Sequence, residues 1–412
     1  MKVCGIIAEY NPFHNGHLYH IKEARKISEA DYVVVVMSGN FVQRGECAIM
    51  DKYSRTQMAL SQGADLVLEL PTIYATGSAE YFAYGAVSLL EKIGGVTHLC
   101  FGSECGDIEL LYSIAEKLWE ESPLFKEELQ KELKKGNSFA KARELAFSKA
   151  YPELSANANL LSSPNNILAL EYMKALKKFD SKILPLTIRR EGAGYNDISL
   201  DNTFSSASGI RNRLENGGDV KVLRSTMPKE AFELLEDAYL QNTLHFMDEY
   251  SSLLHYKLLA EQNKGYEEYV DVSKDLSDRI AKNVKEYTSF PQFCELLKTK
   301  EMAYSRISRS LLHILLDIRK EEVSKYMTND FSTPYARVLG FRKDSNALLR
   351  ILDENRTIPM VTKLADASKQ LDEAALNLLE KELILSSMYY IPKTNKGGNL
   401  VRNEYSTPMI IL

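Results

Sequence analysis

Residues 4–20 read CGIIAEYNPFHNGHLYH, and the reading of this run decides the fold. Val3 to Ala8 is a short apolar strand. It breaks at Asn11-Pro12, a turn pair. A helical pattern follows from Asn15 to Ser28, with Leu18, Ile21 and Ala24 on one side. A strand that feeds a turn at a helix start makes an anion site, because unpaired backbone N–H groups and the positive end of the helix dipole meet there. Gly16 has no Cβ, so a phosphate can approach its backbone closely. His14 and His17 share a face of the first turn, and each imidazole can donate to a phosphoryl oxygen.

Working outward, strand and helix alternate through the first hundred residues. Tyr32 to Met37, YVVVVM, is a β-branched run of the kind buried on both faces. Asp51 caps a helix to about Gln62, and Asp65 to Leu70, DLVLEL, is a third strand. Ser78 caps a helix to about Lys92, and Thr97 to Phe101 is a fourth strand. Pro164-Asn165-Asn166 opens a later helix, and Ser181 to Ile188 is a strand. This alternation predicts an α/β fold, Rossmann-like, with a parallel sheet wrapped by helices. Ligands in such folds sit beyond the carboxyl ends of the strands. The Asn11–His17 turn, the Ser38–Glu46 loop and Gly102 all fall at such ends.

From about Val220 to Asn329 the pattern is amphipathic helix, and the last stretch mixes helices with short strands expected at Ala336–Leu339 and Leu383–Ile391. The α/β pattern gives way near Asn216-Gly217-Gly218. The expected division is therefore an α/β domain over residues 1–216 and a mainly α-helical region over 217–412. At 412 residues, 45% hydrophobic and 26% charged, the composition is that of an ordinary globular protein, with no apolar run of membrane-spanning length and no signal-peptide core. Five cysteines with no paired spacing, Cys4, Cys47, Cys100, Cys105 and Cys294, point to reduced thiols in a cytoplasm. They form no metal-ligand pattern, so no metal residues are assigned. A net charge of −5 neither advertises nor excludes nucleic acid, since local patches matter more than the sum.

His14-Asn15-Gly16-His17 fits the HxGH signature of the HIGH-type nucleotidyltransferase superfamily. The longer run from Glu9 to His17, EYNPFHNGH, resembles the bacterial tRNA(Met) cytidine acetate ligases. A second motif, Ser205 to Arg211, SSASGIR, resembles the serine-rich signature of the superfamily that ends in Ile-Arg. Serines at a helix start can cap it or bind phosphate oxygens, and Arg211 one turn in can fork onto a phosphate. The resemblance implies His14 and His17 as catalytic. It implies a nucleotide-binding run of Ile7, Ala8, Glu9, Tyr10, Asn11, Pro12, Phe13, His14, Asn15, Gly16, His17, Leu18 and His20. It adds Ser206, Ser208 and Arg211 on the β- and γ-phosphates, and Gly102, Asn165 and Arg190 as further ATP contacts. Asn166 competes with Asn165 for that role, and Arg189 with Arg190. The loop Ser38 to Glu46, SGNFVQRGE, also fits the family pattern, with Cys47 where the family commonly has proline.

The same resemblance implies the reaction. ATP is the substrate, with Mg2+ expected to shield its polyphosphate. Acetate is activated as acetyl-adenylate, and the acetyl group passes to N4 of the wobble cytidine of elongator tRNA(Met). A metabolite adenylyltransferase of coenzyme biosynthesis is the alternative, sharing both motifs without needing a helical extension. For RNA, Arg306 and Arg309, three apart beside Tyr304, are the candidate phosphate contacts.

Overall fold

The computed structural model describes residues 1–190, 206–327, 332–394 and 403–412. The Glu191–Tyr195 loop and the Thr203–Ser205 start of the serine motif lie outside the described residues. The strands are β1 (Val3–Ala8), β2 (Tyr32–Ser38), β3 (Phe41–Val42), β4 (Glu46–Cys47), β5 (Leu66–Leu70), β6 (His98–Ser103), β7 (Leu184–Arg189), β8 (Ala336–Phe341), β9 (Met360–Val361) and β10 (Ile410–Ile411). The main sheet runs in the order β10-β8-β5-β2-β1-β6-β7, with β9 beside β8 and β3–β4 a separate hairpin. From β5 to β7 every pairing is parallel. Only β8 runs antiparallel to its neighbour β5.

Strand order reverses at β1, which lies between β2 and β6. Chain connections leave β1 in opposite directions there, which opens a crevice at its carboxyl end. The sequence 9–17 occupies that point. Both faces of the sheet are covered, and the YVVVVM run shows why. Val34 and Val36 join one apolar core, whereas Val33, Val35 and Met37 join the other. Helix caps fall where the sequence puts them. Asp51 Oδ1 accepts from Ser54 N at 2.8 Å, and Ser78 caps Ala79–Ile93.

One expectation is corrected. Leu383–Ile391 is not a strand but part of the helix Glu373–Thr394. Its buried residues Glu382, Leu385, Ser386, Tyr389, Tyr390 and Lys393 recur at helical spacing, and that period outweighs the β-prone composition. The sheet also draws on residues beyond position 216. β8, β9 and β10 all come from beyond it, and β8 pairs directly with β5. A separate helical core exists, but it gathers Leu254 to Ile314 rather than the whole of 217–412.

Candidate functional site

A cleft of about 170 Å³ opens at the carboxyl end of β1. Its wall includes Ile7, Ala8, Glu9, Tyr10, Asn11, His14, His17 and His20 from the opening motif. His14 is extended and stands at the N-cap of α1 (Asn15–Ser28). Its Nδ1 accepts from Gly16 N at 3.0 Å, and its own backbone N–H donates to His17 Nδ1 at 3.2 Å. Each ring therefore uses Nδ1 as an acceptor, so the neutral imidazole carries its proton on Nε2. The two rings lie 3.8 Å apart, centroid to centroid. Burial pushes His14 down to about 3 and His20 to about 4, with the Arg190 charge pressing in the same direction. Burial holds His17 far below the ordinary histidine range as well. These are neutral N–H donors, not imidazolium cations, at neutral pH.

Gly16 has a steric role beside the His14 ring. A Cβ there would stand 2.8 Å from His14 Cε1. The missing side chain makes room for the His14 ring over the helix start, and Gly16 also lines a small cavity beside the cleft.

The second motif arrives at the same place from 200 residues away. Arg211 Nη1 donates to Asn11 O at 2.8 Å, and Nη2 pairs with Glu46 Oε2 at 3.1 Å. Ser206 caps the helix Ala207–Glu215, accepting from Gly209 N at 3.0 Å, and it lines the cleft together with Ser208. Of the two motif serines, then, Ser206 is the cap. Gly102, Asn165 and Arg190 also line the cleft. The Arg190 stem lies close against Gly102, where an added Cβ would be 3.2 Å from its Cγ. Arg189 lines only an adjoining cavity of about 60 Å³, shared with Gly16, His20 and Arg190. Between the asparagines the geometry separates two tasks. Asn166 is fully buried, and its Oδ1 accepts from Glu104 N and Cys105 N. Asn165 faces the cleft and donates to Glu104 Oε1 at 2.7 Å.

Four residues of the opening run point elsewhere. Pro12 and Phe13 are buried, and Leu18 packs on the core below the sheet. Asn15 anchors the start of α1 by donating its backbone N–H to Thr226 O and its side chain to Ser225 O, both at 2.9 Å. The RNA pair also separates. Arg306 is exposed, but Arg309 pairs with Asp271 at 3.0 Å, with only 13% of its side chain accessible. The Arg309 guanidinium is thus already engaged by a part-buried carboxylate, whereas Arg306 is open to solvent.

Several contributors escaped sequence reasoning. Phe82, Phe101, Leu168 and Tyr172 give the cleft an apolar wall. They look like ordinary core residues until the sheet brings them together. Glu46 and Arg44 sit in the SGNFVQRGE loop, which was visible as a pattern but carried no assigned role. Arg55 is the clearest omission. It lies in α2 (Lys52–Ser61), has no exposed surface, and donates to Met50 O, Glu9 O, Ser38 O and Gly39 O. It ties the ends of β1 and β2 together. A cation on the buried face of an amphipathic helix was the signal available.

A family model described as HIGH Nucleotidyl Transferase matches residues 1–403. A tRNA(Met) cytidine acetate ligase of Caldanaerobacter subterraneus subsp. tengcongensis is 41% identical over 397 residues, covering 96% of both chains. This chain belongs to that ligase family. The Acetivibrio thermocellus member is 40% identical over 422 residues, covering 100% of both. A crystal structure of Thermotoga maritima TmcAL bound with alpha-thio ATP superposes with a TM-score of 0.90 at 33% identity, covering both chains fully. The apo form of that protein gives 0.93 at 34%. The family likeness thus extends well past residue 216, into the strands that complete the sheet. No described helix is long and apolar enough to cross a membrane, and the five cysteines are unpaired.

Proposed function

We propose that this protein is an ATP-dependent ligase that activates acetate as acetyl-adenylate and transfers the acetyl group to N4 of the wobble cytidine of elongator tRNA(Met), in the cytoplasm. One observation carries the reading. Two neutral N–H donors on α1, an arginine after β7 and an arginine one turn into Ala207–Glu215 converge on a single cleft at the strand-order reversal. Full-length likeness to ligases that act on tRNA(Met) supports the substrate. It disfavours the coenzyme-precursor alternative, which has no use for the chain beyond the nucleotide fold.

In the first step an acetate oxygen attacks the α-phosphorus in line, and pyrophosphate leaves. His14 and His17 donate Nε2–H to phosphate oxygens as charge moves onto the leaving group. Arg190, Arg211 and Ser208 hold the tail, and the start of α1 adds its dipole. A bound polyanion favours protonated imidazole, so occupancy raises the pKa values that burial depresses. Among the described residues no group of three His, Cys, Asp or Glu could hold a metal ion. Mg2+, if bound with ATP, would supply charge neutralisation to the polyphosphate. In the second step N4 attacks the acetyl carbonyl carbon and AMP leaves.

The test is incubation with labelled acetate, ATP and bulk tRNA, followed by nucleoside analysis. Label on N4-acetylcytidine, together with acetate-dependent exchange of pyrophosphate into ATP, is the expected result. Exchange driven by a phosphorylated vitamin instead would overturn it.

A further inference from the structure

Acetyl transfer to an exocyclic amine releases a proton, and the cleft must supply a group to take it. We propose that Glu9 is that group: its carboxylate accepts the N4 proton as the new N–C bond forms and the C–O bond to AMP breaks. This rests on the ligase reading given above. The products balance as N4-acetylcytidine, AMP and one proton held on Glu9.

The assignment follows from what each basic atom in the cleft already does. His14 and His17 present Nε2–H, and their Nδ1 atoms hold the helix start, so neither offers a lone pair to substrate. His20 lines the cleft, but its Nε2 atom is itself buried, without a hydrogen-bond partner. Burial raises the Tyr10 and Tyr172 hydroxyls far above neutrality, which leaves them as donors. Glu46 is held by Arg211. Glu104, just outside, caps Pro164–Lys178 through Asn165 N and Asn166 N. Glu9 remains. Its Oε1 accepts from Gln43 N at 3.0 Å, and among the described residues nothing is hydrogen-bonded to Oε2.

Position supports the same role. Gln43 belongs to the β3–β4 hairpin, whose Gly45 sits at φ +78° directly against the helix Tyr304–Leu315. A Cβ at Gly45 would stand 2.3 Å from Arg309 N, and Ser308 Oγ donates to Gly45 O at 2.8 Å. Glu9 is thus tied through Gln43 to the hairpin that packs on the helical core, and it lines the same cleft as His14, His17 and Arg190. The charges facing Glu9 are Arg211, Arg44, Glu46 and Arg55, with Tyr172 across the cleft. Burial raises the Glu9 carboxyl above the usual carboxylate range despite the arginines, which strengthens it as a base.

The variant Glu9→Gln keeps the acceptor for Gln43 and loses the base. Two rates are measured with full-length protein: acetate-dependent pyrophosphate exchange, and single-turnover transfer to tRNA from added acetyl-adenylate. Transfer is expected to fall more than a hundredfold, to lose its rise with pH, and to fall at least tenfold further than exchange does. Glu9→Asp, which retains a carboxylate, is expected to recover part of the transfer rate and its pH dependence. Equal loss in both rates, or wild-type transfer in Glu9→Gln, would overturn the assignment. If wild-type protein itself transfers nothing to tRNA, the ligase reading fails instead, and with it this role.

Discussion

The cleft at the end of β1 and the face of the helix Tyr304–Leu315 both carry arginines at promising spacing, yet they differ in how those arginines are held. In the cleft, Arg190 reaches past Gly102 into open space, and Arg211 bridges two loops at its edge. On the helix, Arg309 is locked to Asp271, and nearby Arg319 meets Glu268 and Asp317. The first region pairs Arg211 with Glu46 but leaves Arg190 to an opening, whereas the second ties both Arg309 and Arg319 to acids. What a cation can bind depends on the acids that the fold sets beside it, which chain spacing does not reveal.

Substitutions can break this contrast. His17→Ala should lower acetate-dependent exchange by about a hundredfold to a thousandfold, the typical loss for one donor at developing charge. Near-normal exchange in a variant with native circular dichroism would remove the cleft from the chemistry. Arg55→Met leaves four carbonyls without their donor and should cost about 3 kcal/mol in urea unfolding. Arg309→Met should cost about 1 kcal/mol, since its pair is partly accessible. Equal losses would mean that the two regions are built alike.

Acid should sharpen the difference further. His14 and His20 titrate near 3 and 4 when folded and near 6.5 when unfolded. Between those limits the unfolded chain binds protons that the fold refuses. The stability present above pH 6.5 is therefore lost as pH falls toward 4. Melting temperature should drop over that window, and His14→Asn should make the slope shallower. The smallest effect separates the two helix arginines. Arg306→Ala should weaken tRNA binding about threefold and reduce its salt slope by about one, whereas Arg309→Ala should leave the slope unchanged. The reverse outcome would mean that Asp271 releases Arg309 when RNA binds.

Much of this was legible beforehand because it is local. The β1 strand and α1 match the expected bounds residue for residue, since a period change at a proline turn is written in adjacent residues. The caps at Asp51 and Ser78 follow from side chains that reach only three residues. Long-range pairing left no such trace. Lys52, Glu69, Arg337 and Glu404 form a buried charge network under the sheet, drawn from positions spread over some 350 residues. Each reads as a surface charge in isolation.

Sequence alone determined the strand-turn-helix that starts the fold, the two phosphate motifs and the alternation that makes a parallel sheet, because hydrophobic period and turn chemistry act between near neighbours. Only the tertiary structure decided which residues face the opening. It returned the C-terminal strands to the sheet, gave Gly16 to the His14 ring and Arg309 to Asp271, and left Glu9 with an uncommitted oxygen. Those outcomes depend on which distant side chains burial forces into contact, and no spacing along the chain encodes that.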